Sequence, residues 1–100
     1  MVKLTVLFGQ PEDPEAFEEY YANRHLPLAA EIPNVRRFES GRMRAVDGGE
    51  SPYYRIAELW FESAERMGEA IASPQGEAAA LDLPNFATGG AKFLASEVEA

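Results

Sequence analysis

The feature that most constrains this chain is the order in which its hydropathy changes period. Residues 2–8, VKLTVLF, place Val2, Leu4, Val6 and Phe8 on one face and Lys3, Thr5 and Leu7 on the other, the two-residue period of a strand. GQPEDP breaks that strand. Asp13 then caps a helix with Pro14 in its first turn, and Glu15 adds charge favourable to that end. This helix is predicted to run to about His25 and to fray at Leu26, because Pro27 disfavours helical geometry in the residue before it. LAAEIPN is a second short turn or helical piece ending at Pro33. VRRFESGRMRAV is predicted as a strand with a bulge or bend at Gly41, DGGESP as a turn, and YYRIAELWF as the strongest strand of the chain. Ser63 caps AERMGEAIA, Ser73 and Pro74 restart a helix in PQGEAAALDL, and PNFATGG leads into a last strand, AKFLASEVE.

The resulting order, β-α-β twice, predicts an α+β fold of the ferredoxin-like, split βαβ type, with a four-stranded antiparallel sheet and helices on one face. The third strand sharpens the expectation. Arg55, Ala57, Leu59 and Phe61 alternate with Tyr54, Ile56, Glu58 and Trp60, so it is largely apolar or aromatic on both sides. An antiparallel sheet with one wet face alternates more cleanly than this. Helices can cover only one side of four strands, and the other side calls for a second copy of the chain. A homodimer with sheets packed face to face is expected, burying on the order of 1,200–2,000 Å². One hundred residues without repeats or linkers suit a single domain, residues 1–100.

Composition removes several functional classes. Cysteine is absent, which excludes disulfide scaffolds, thiolate metal sites and cysteine nucleophiles and fits a cytoplasmic protein. The formal net charge is −8, with only nine Lys and Arg, so nucleic acid is not an expected partner. Four of those nine cluster in RRFESGRMR, where Glu39 and Gly41 interrupt them. No apolar run is long enough for a membrane span, and the N-terminal segment lacks the pattern of a signal peptide. A lone histidine leaves no H-x-x-x-H or H-E-x-x-H zinc pattern, none of the serines lies in a G-x-S-x-G elbow, and neither glycine turn has phosphate-loop spacing. No metal and no cofactor is expected. A single histidine could serve as a haem ligand but does not single haem out.

That histidine, His25, lies in YYANRHLPLAAEIP. At roughly 100° per residue, Phe17, Tyr21, Arg24 and Leu28 share a direction, with Tyr20 on one shoulder of the stripe and His25 on the other. Tyr21 and His25 are four apart, within ring contact. The inward face is therefore aromatic with polar tips, unlike a Leu- and Val-lined core helix. Two readings stand beside each other. A histidine at a helix C-terminus can stabilise the last carbonyls as a cation without any chemistry, or it can be an acid–base group at a pocket.

FEEYYANRHLPLAAEIPNVRRF, followed by YYRIAELWFES and SPQGEAAALDLPNFA, resembles the EthD family of small α+β proteins over nearly the whole chain. The most specific part is Phe17, Tyr20, Tyr21, His25, Pro27 and Leu28, supported by residues 57–61 and 84–86. The resemblance implies a ferredoxin-like unit paired into a dimeric α+β barrel, with a cavity between helices and sheet in each protomer. It also implies an association with ether degradation, or with lactone isomerisation or polyketide tailoring in related members, and it gives the histidine matching His25 an acid–base or ligand-contacting role.

Given such a pocket, the chemistry available is proton transfer, because imidazole titrates near neutrality. His25, Tyr20 and Tyr21 are the candidate catalytic residues, the tyrosines donating to a substrate carbonyl or holding the imidazole. Arg24 is a candidate partner for a carboxylate or enolate, and Phe17, Trp60 and Phe86 for an apolar wall. The expected function is a cofactor-free enzyme or binder for a small hydrophobic or aromatic oxygenated molecule, of isomerase, cyclase or monooxygenase type. The rival is a non-catalytic dimeric module whose barrel is fully packed. A cavity of about 300 Å³ or more beside Tyr20, Tyr21 and His25 favours the first; a filled interior favours the second.

Overall fold

A computed structural model describes residues 1–99. Four strands, β1 (Val2–Gly9), β2 (Arg37–Arg42), β3 (Tyr53–Phe61) and β4 (Ala91–Glu97), form one antiparallel sheet in the order β2-β3-β1-β4. Helices α1 (Pro14–Tyr20), α2 (Leu26–Ala29), α3 (Ala64–Ala72) and α4 (Pro74–Asp82) fill the connections, giving the ferredoxin-like α+β arrangement. The capping chemistry matches expectation. Asp13 accepts from the Ala16 amide, Ser63 from that of Arg66 and Ser73 from that of Gly76, each satisfying a donor that the first helical turn leaves free.

The expected closure into a barrel does not occur. The sheet is open, with β2 and β4 each paired on one side only, and four strands in this order leave no ladder that joins the two edges. The bulge expected at Gly41 is also absent, since Arg37 to Arg42 pair without a break against Trp60 to Arg55; the register shifts instead between Phe8 and Gly9. β2 is shorter than its apolar and basic flanks suggested.

One face of the sheet carries Val6 and Phe8 of β1 and Ala57, Leu59 and Phe61 of β3 under the helices. The opposite face carries Lys3, Thr5, Leu7, Ile56, Glu58 and Trp60, with Lys3 and Glu58 paired at 2.8 Å and the guanidinium of Arg37 over the Trp60 ring. The buried core is in two parts. Val6, Phe8, Phe17, Tyr21, Ala57 and Phe86 make an aromatic cluster, and Leu59, Phe61 and Ala70 make a second. Among the described residues, no helix is long and apolar enough to cross a membrane.

Candidate functional site

The helix carrying His25 does not fray where Pro27 predicted. It continues through a π-helical turn, Tyr21–His25, closed by the Leu26 amide on the Tyr21 carbonyl, and then into α2. In a straight α-helix the Pro27 ring would press on the carbonyl four residues back; the wider turn relieves this while the helix goes on. The turn also changes which side chains face inward. With wider winding, residues four apart nearly eclipse, so Phe17, Tyr21 and His25 are all buried, and the Tyr21 and His25 rings stack with centroids 5.7 Å apart. Arg24, which 3.6-residue winding placed inward, is exposed.

His25 is 7% exposed. Its Nδ1 lies 3.0 Å from Oδ2 of Asp82, the last residue of α4, which is itself 8% exposed. Oδ1 of Asp82 accepts the Tyr20 hydroxyl at 2.6 Å and the Asn85 amide at 3.0 Å. Burial pushes the Asp82 carboxyl up, but the bonds from Tyr20, Asn85 and His25 outweigh it and hold it below the ordinary aspartate value. The bond to Asp82 in turn raises the Tyr20 phenol, which donates to a carboxylate and so keeps its proton. An ionised carboxylate only accepts, so Nδ1 of His25 carries the proton and, in the neutral ring, Nε2 is an acceptor. Nε2 has no hydrogen-bond partner among the described residues. Since no sealed side-chain N or O atom among them goes unpartnered, Nε2 is open rather than enclosed.

Beside it lies the gap between the two parts of the core, a cavity of about 330 Å³ bordered by His25 and Tyr21. The rest of its wall is apolar. β1 and β3 supply Leu4, Val6, Phe8, Ala57, Leu59 and Phe61, and the helical side is built of small residues such as Ala70, Gly76 and Ala79. The gap exists because these positions carry too little side chain to close it. Phe38 on β2 and Phe93 on β4 reach it from the two sheet edges, 40% and 52% exposed.

Tyr21 is fixed from its other end. Its hydroxyl is 2.7 Å from Ser40 Oγ, and the guanidinium of Arg55 lies over its ring while donating to Ser40 Oγ at 3.1 Å. Burial raises the Tyr21 phenol, and Ser40 and Arg55 offset part of this. Arg55 also pairs with Glu18, which accepts from the Tyr54 hydroxyl at 2.8 Å. Burial opposes the Glu18 charge, but Arg55 and Tyr54 outweigh it and bring that carboxyl below its usual range.

The seven residues singled out in the sequence thus separate. Tyr21 and His25 border the cavity. Tyr20 sits behind His25 and reaches it through Asp82. Phe17 and Phe86 are buried supports, Phe86 with its ring 4.7 Å from the imidazole. Arg24 is in solvent, and Trp60 is on the opposite face of the sheet, between Lys3 and Arg37. Asp82 was not anticipated. Its one signal is positional: an acid in the last turn of a helix opposes the macrodipole and needs a local reason to be there. Among the described residues no group of three or more His, Cys, Asp or Glu is placed to hold a metal ion.

An open antiparallel ferredoxin-like sheet, with a helix-covered apolar cavity and one buried histidine, defines a class of small α+β proteins. Within it, residues 9–90 match the EthD domain, and the chain belongs to the EthD family. It is 42% identical over 99 residues to the uncharacterised 11.0 kDa protein in the thcB-thcC intergenic region of Rhodococcus erythropolis, covering 99% of this chain and 96% of that protein. The crystal structure of an EthD family protein from Bacillus halodurans superposes with a TM-score of 0.92 at 34% identity, covering 99% of each chain. A dimeric ferredoxin-like protein of unknown function from Thermobifida fusca shares the fold, with a TM-score of 0.72 at 15% identity over 97% of this chain and 90% of that one.

Proposed function

We propose that the cavity binds a small, mainly apolar oxygenated molecule and that His25 Nε2 removes a proton from it without a cofactor. The observation that carries this reading is the buried pair of His25 and Asp82, with His25 bordering an apolar cavity of about 330 Å³. In the step envisaged, an O–H or acidic C–H bond of the ligand breaks and an N–H bond forms at Nε2. The ligand keeps the electron pair as an oxyanion or enolate, and the imidazolium is held against the Asp82 carboxylate. Returning the same proton to another atom gives isomerisation or cyclisation with no co-reactant; an oxygenation would take dioxygen as one. Tyr21 borders the ligand, Tyr20 and Asn85 hold Asp82, and Phe17 and Phe86 hold the rings.

A panel of phenols, quinones and lactones, tested for binding and turnover with the parent chain, His25→Gln and His25→Ala, examines this directly. Turnover lost in both variants, with binding retained in His25→Gln, is the expected outcome. Unchanged turnover in both removes His25 from the chemistry, and binding without turnover in the parent chain leaves a ligand carrier.

The same reading includes association of two copies through the uncovered sheet face, where Leu7, Ile56 and Trp60 are only half-buried and Leu94 is 56% exposed. Its support is that apolar surface and the dimeric description of the Thermobifida fusca relative. Native mass spectrometry of the parent chain and Ile56→Glu reads it out: dimer in the first and monomer in the second, whereas a monomeric parent chain at micromolar concentration dismisses it.

A further inference from the structure

We propose that the ligand is an elongated apolar carboxylate whose charged end leaves the cavity at the β2 edge and is received by Arg36. This rests on the cavity being the ligand site. A further space adjoins the cavity at that edge. A second, more open groove of about 520 Å³ begins there, and Ala29, Ile32 and Phe38 line both spaces. A molecule reaching from under His25 past Phe38 would meet apolar wall again in the groove, where Leu26 and Val35 continue it.

Two charged side chains border the groove, Arg36 and Arg37. Arg37 is engaged elsewhere, over the Trp60 ring and paired with Glu39. Arg36 is not. Its amide donates to the Trp60 carbonyl at 2.8 Å, which ties the backbone down just before β2. Arg36 sits at a bend just before the first strand residue, and its side chain borders the groove beside Phe38. Its guanidinium meets Glu62 at 3.4 Å, with the two side chains 58% and 69% exposed. A pair that exposed and that long contributes little and exchanges readily for another carboxylate. Arginine suits the exchange, because its fork receives both oxygens of a carboxylate.

Charge placement agrees. The chain carries a net −8, which repels anions, yet four of its nine basic residues fall within residues 36–44. That concentration gives an anionic molecule one favourable approach, at this edge.

The test compares two probes of the same chain length, dodecanoate and dodecan-1-ol, by isothermal titration calorimetry with the parent chain, Arg36→Gln and Arg36→Glu. The parent is expected to prefer dodecanoate by about tenfold, the preference shrinking as salt is raised. Arg36→Gln should abolish it and Arg36→Glu reverse it, with dodecan-1-ol affinity changed less than about twofold in either, as befits an exposed position. Equal affinity for the two probes in the parent, or equal losses for both in the variants, overturns the assignment of Arg36 while leaving the cavity reading intact. Failure of the parent to bind either probe, while it binds compact members of the phenol and lactone panel, overturns the elongated ligand. Failure to bind any of them overturns both readings.

Discussion

Replacing Ala57 by Leu asks whether the gap in the core is open space. Ala57 is 5% exposed on the central strand β3, opposite Val6 on β1 and Ser40 on β2, and its methyl group points into the cavity wall. Leu adds three carbons. At about 0.8 kcal/mol per buried CH₂, these contribute up to about 2.4 kcal/mol if they enter empty apolar volume. Fixing the leucine rotamer costs about 0.5–1 kcal/mol, leaving a net gain of about 1.5 kcal/mol. In a filled core the same three carbons would cost about 1–3 kcal/mol through displaced side chains and backbone. The two outcomes differ in sign. In a chain of this size the gain appears as a melting temperature about 6–12 °C higher, at 4–8 °C per kcal/mol. The assay is calorimetry with and without the best ligand of the phenol and lactone panel. The parent should melt lower and be stabilised by ligand; Ala57→Leu should melt higher and lose the ligand's effect. Part of the gain could arise from leucine's better fit to a strand than alanine's, so the loss of ligand response is the discriminating half. A variant that melts lower and still binds would show that no usable volume adjoins Ala57, and the cavity reading would go with it.

Asp82→Asn should remove proton transfer while sparing binding, because an asparagine NH₂ facing Nδ1–H forces the imidazole into the other tautomer and turns Nε2 into a donor; a rate loss of roughly 10²–10⁴-fold is expected. Asp82 also makes stability pH-dependent: its folded carboxyl lies below the ordinary value, so its contribution is complete above the unfolded pKa of about 3.9 and fades as pH falls through the folded one. Acid titration of stability below about pH 4 should be shallower in Asp82→Asn, with Glu18, shifted the same way, supplying what remains. Gly76→Ala and Gly68→Ala form a matched pair in thermal melts. A Cβ at Gly76 would stand 2.1 Å from the Ala70 carbonyl oxygen, where α4 crosses the end of α3, and should destabilise; at Gly68 it meets nothing within 4 Å and should stabilise by about 0.5–1 kcal/mol. Tyr20→Phe should leave ligand affinity within about twofold, since Tyr20 acts through Asp82, whereas Tyr21→Phe keeps the ring under Arg55 but takes the hydroxyl partner from Ser40 and should cost about 0.5–1.5 kcal/mol of stability.

Much of this architecture was legible because local chemistry and global fold agree. Asp13 and Ser63 are caps in sequence and in structure, Ser73 restarts a helix in both, and the alternation in β1 and β3 sorts their side chains correctly between two faces. The misses have separate physical origins. Parity groups Trp60 apart from Ala57, Leu59 and Phe61, but parity cannot say which group the helices cover; here they cover the alanine and leucine side. Arg24 was placed inward on the assumption of uniform winding, and a single π-helical turn exchanged it for His25. Asp82 was hidden because its partners, Tyr20 and His25, are 62 and 57 residues away, a proximity no local pattern records. Barrel closure was expected from the family resemblance, and the apolar sheet surface argues for cover but not for how strands connect.

The distribution of polarity in the cavity makes one more demand on its occupant. Among side chains bordering it, His25 offers an acceptor whose partner is missing, and Tyr21 has already committed its hydroxyl to Ser40. An acceptor turned toward apolar volume is satisfied only by a donor that comes with the ligand, and leaving it unmet costs about 1–3 kcal/mol. A phenol should therefore outbind its own methyl ether by about 10- to 100-fold, although the ether is the more apolar molecule and burial alone would favour it. In His25→Phe, where no acceptor remains, the order should invert and the ether should bind better. If the parent chain prefers the ether, or if the preference for the phenol survives in His25→Phe, Nε2 does not meet the ligand and the pair with Asp82 serves only to close the end of a helix.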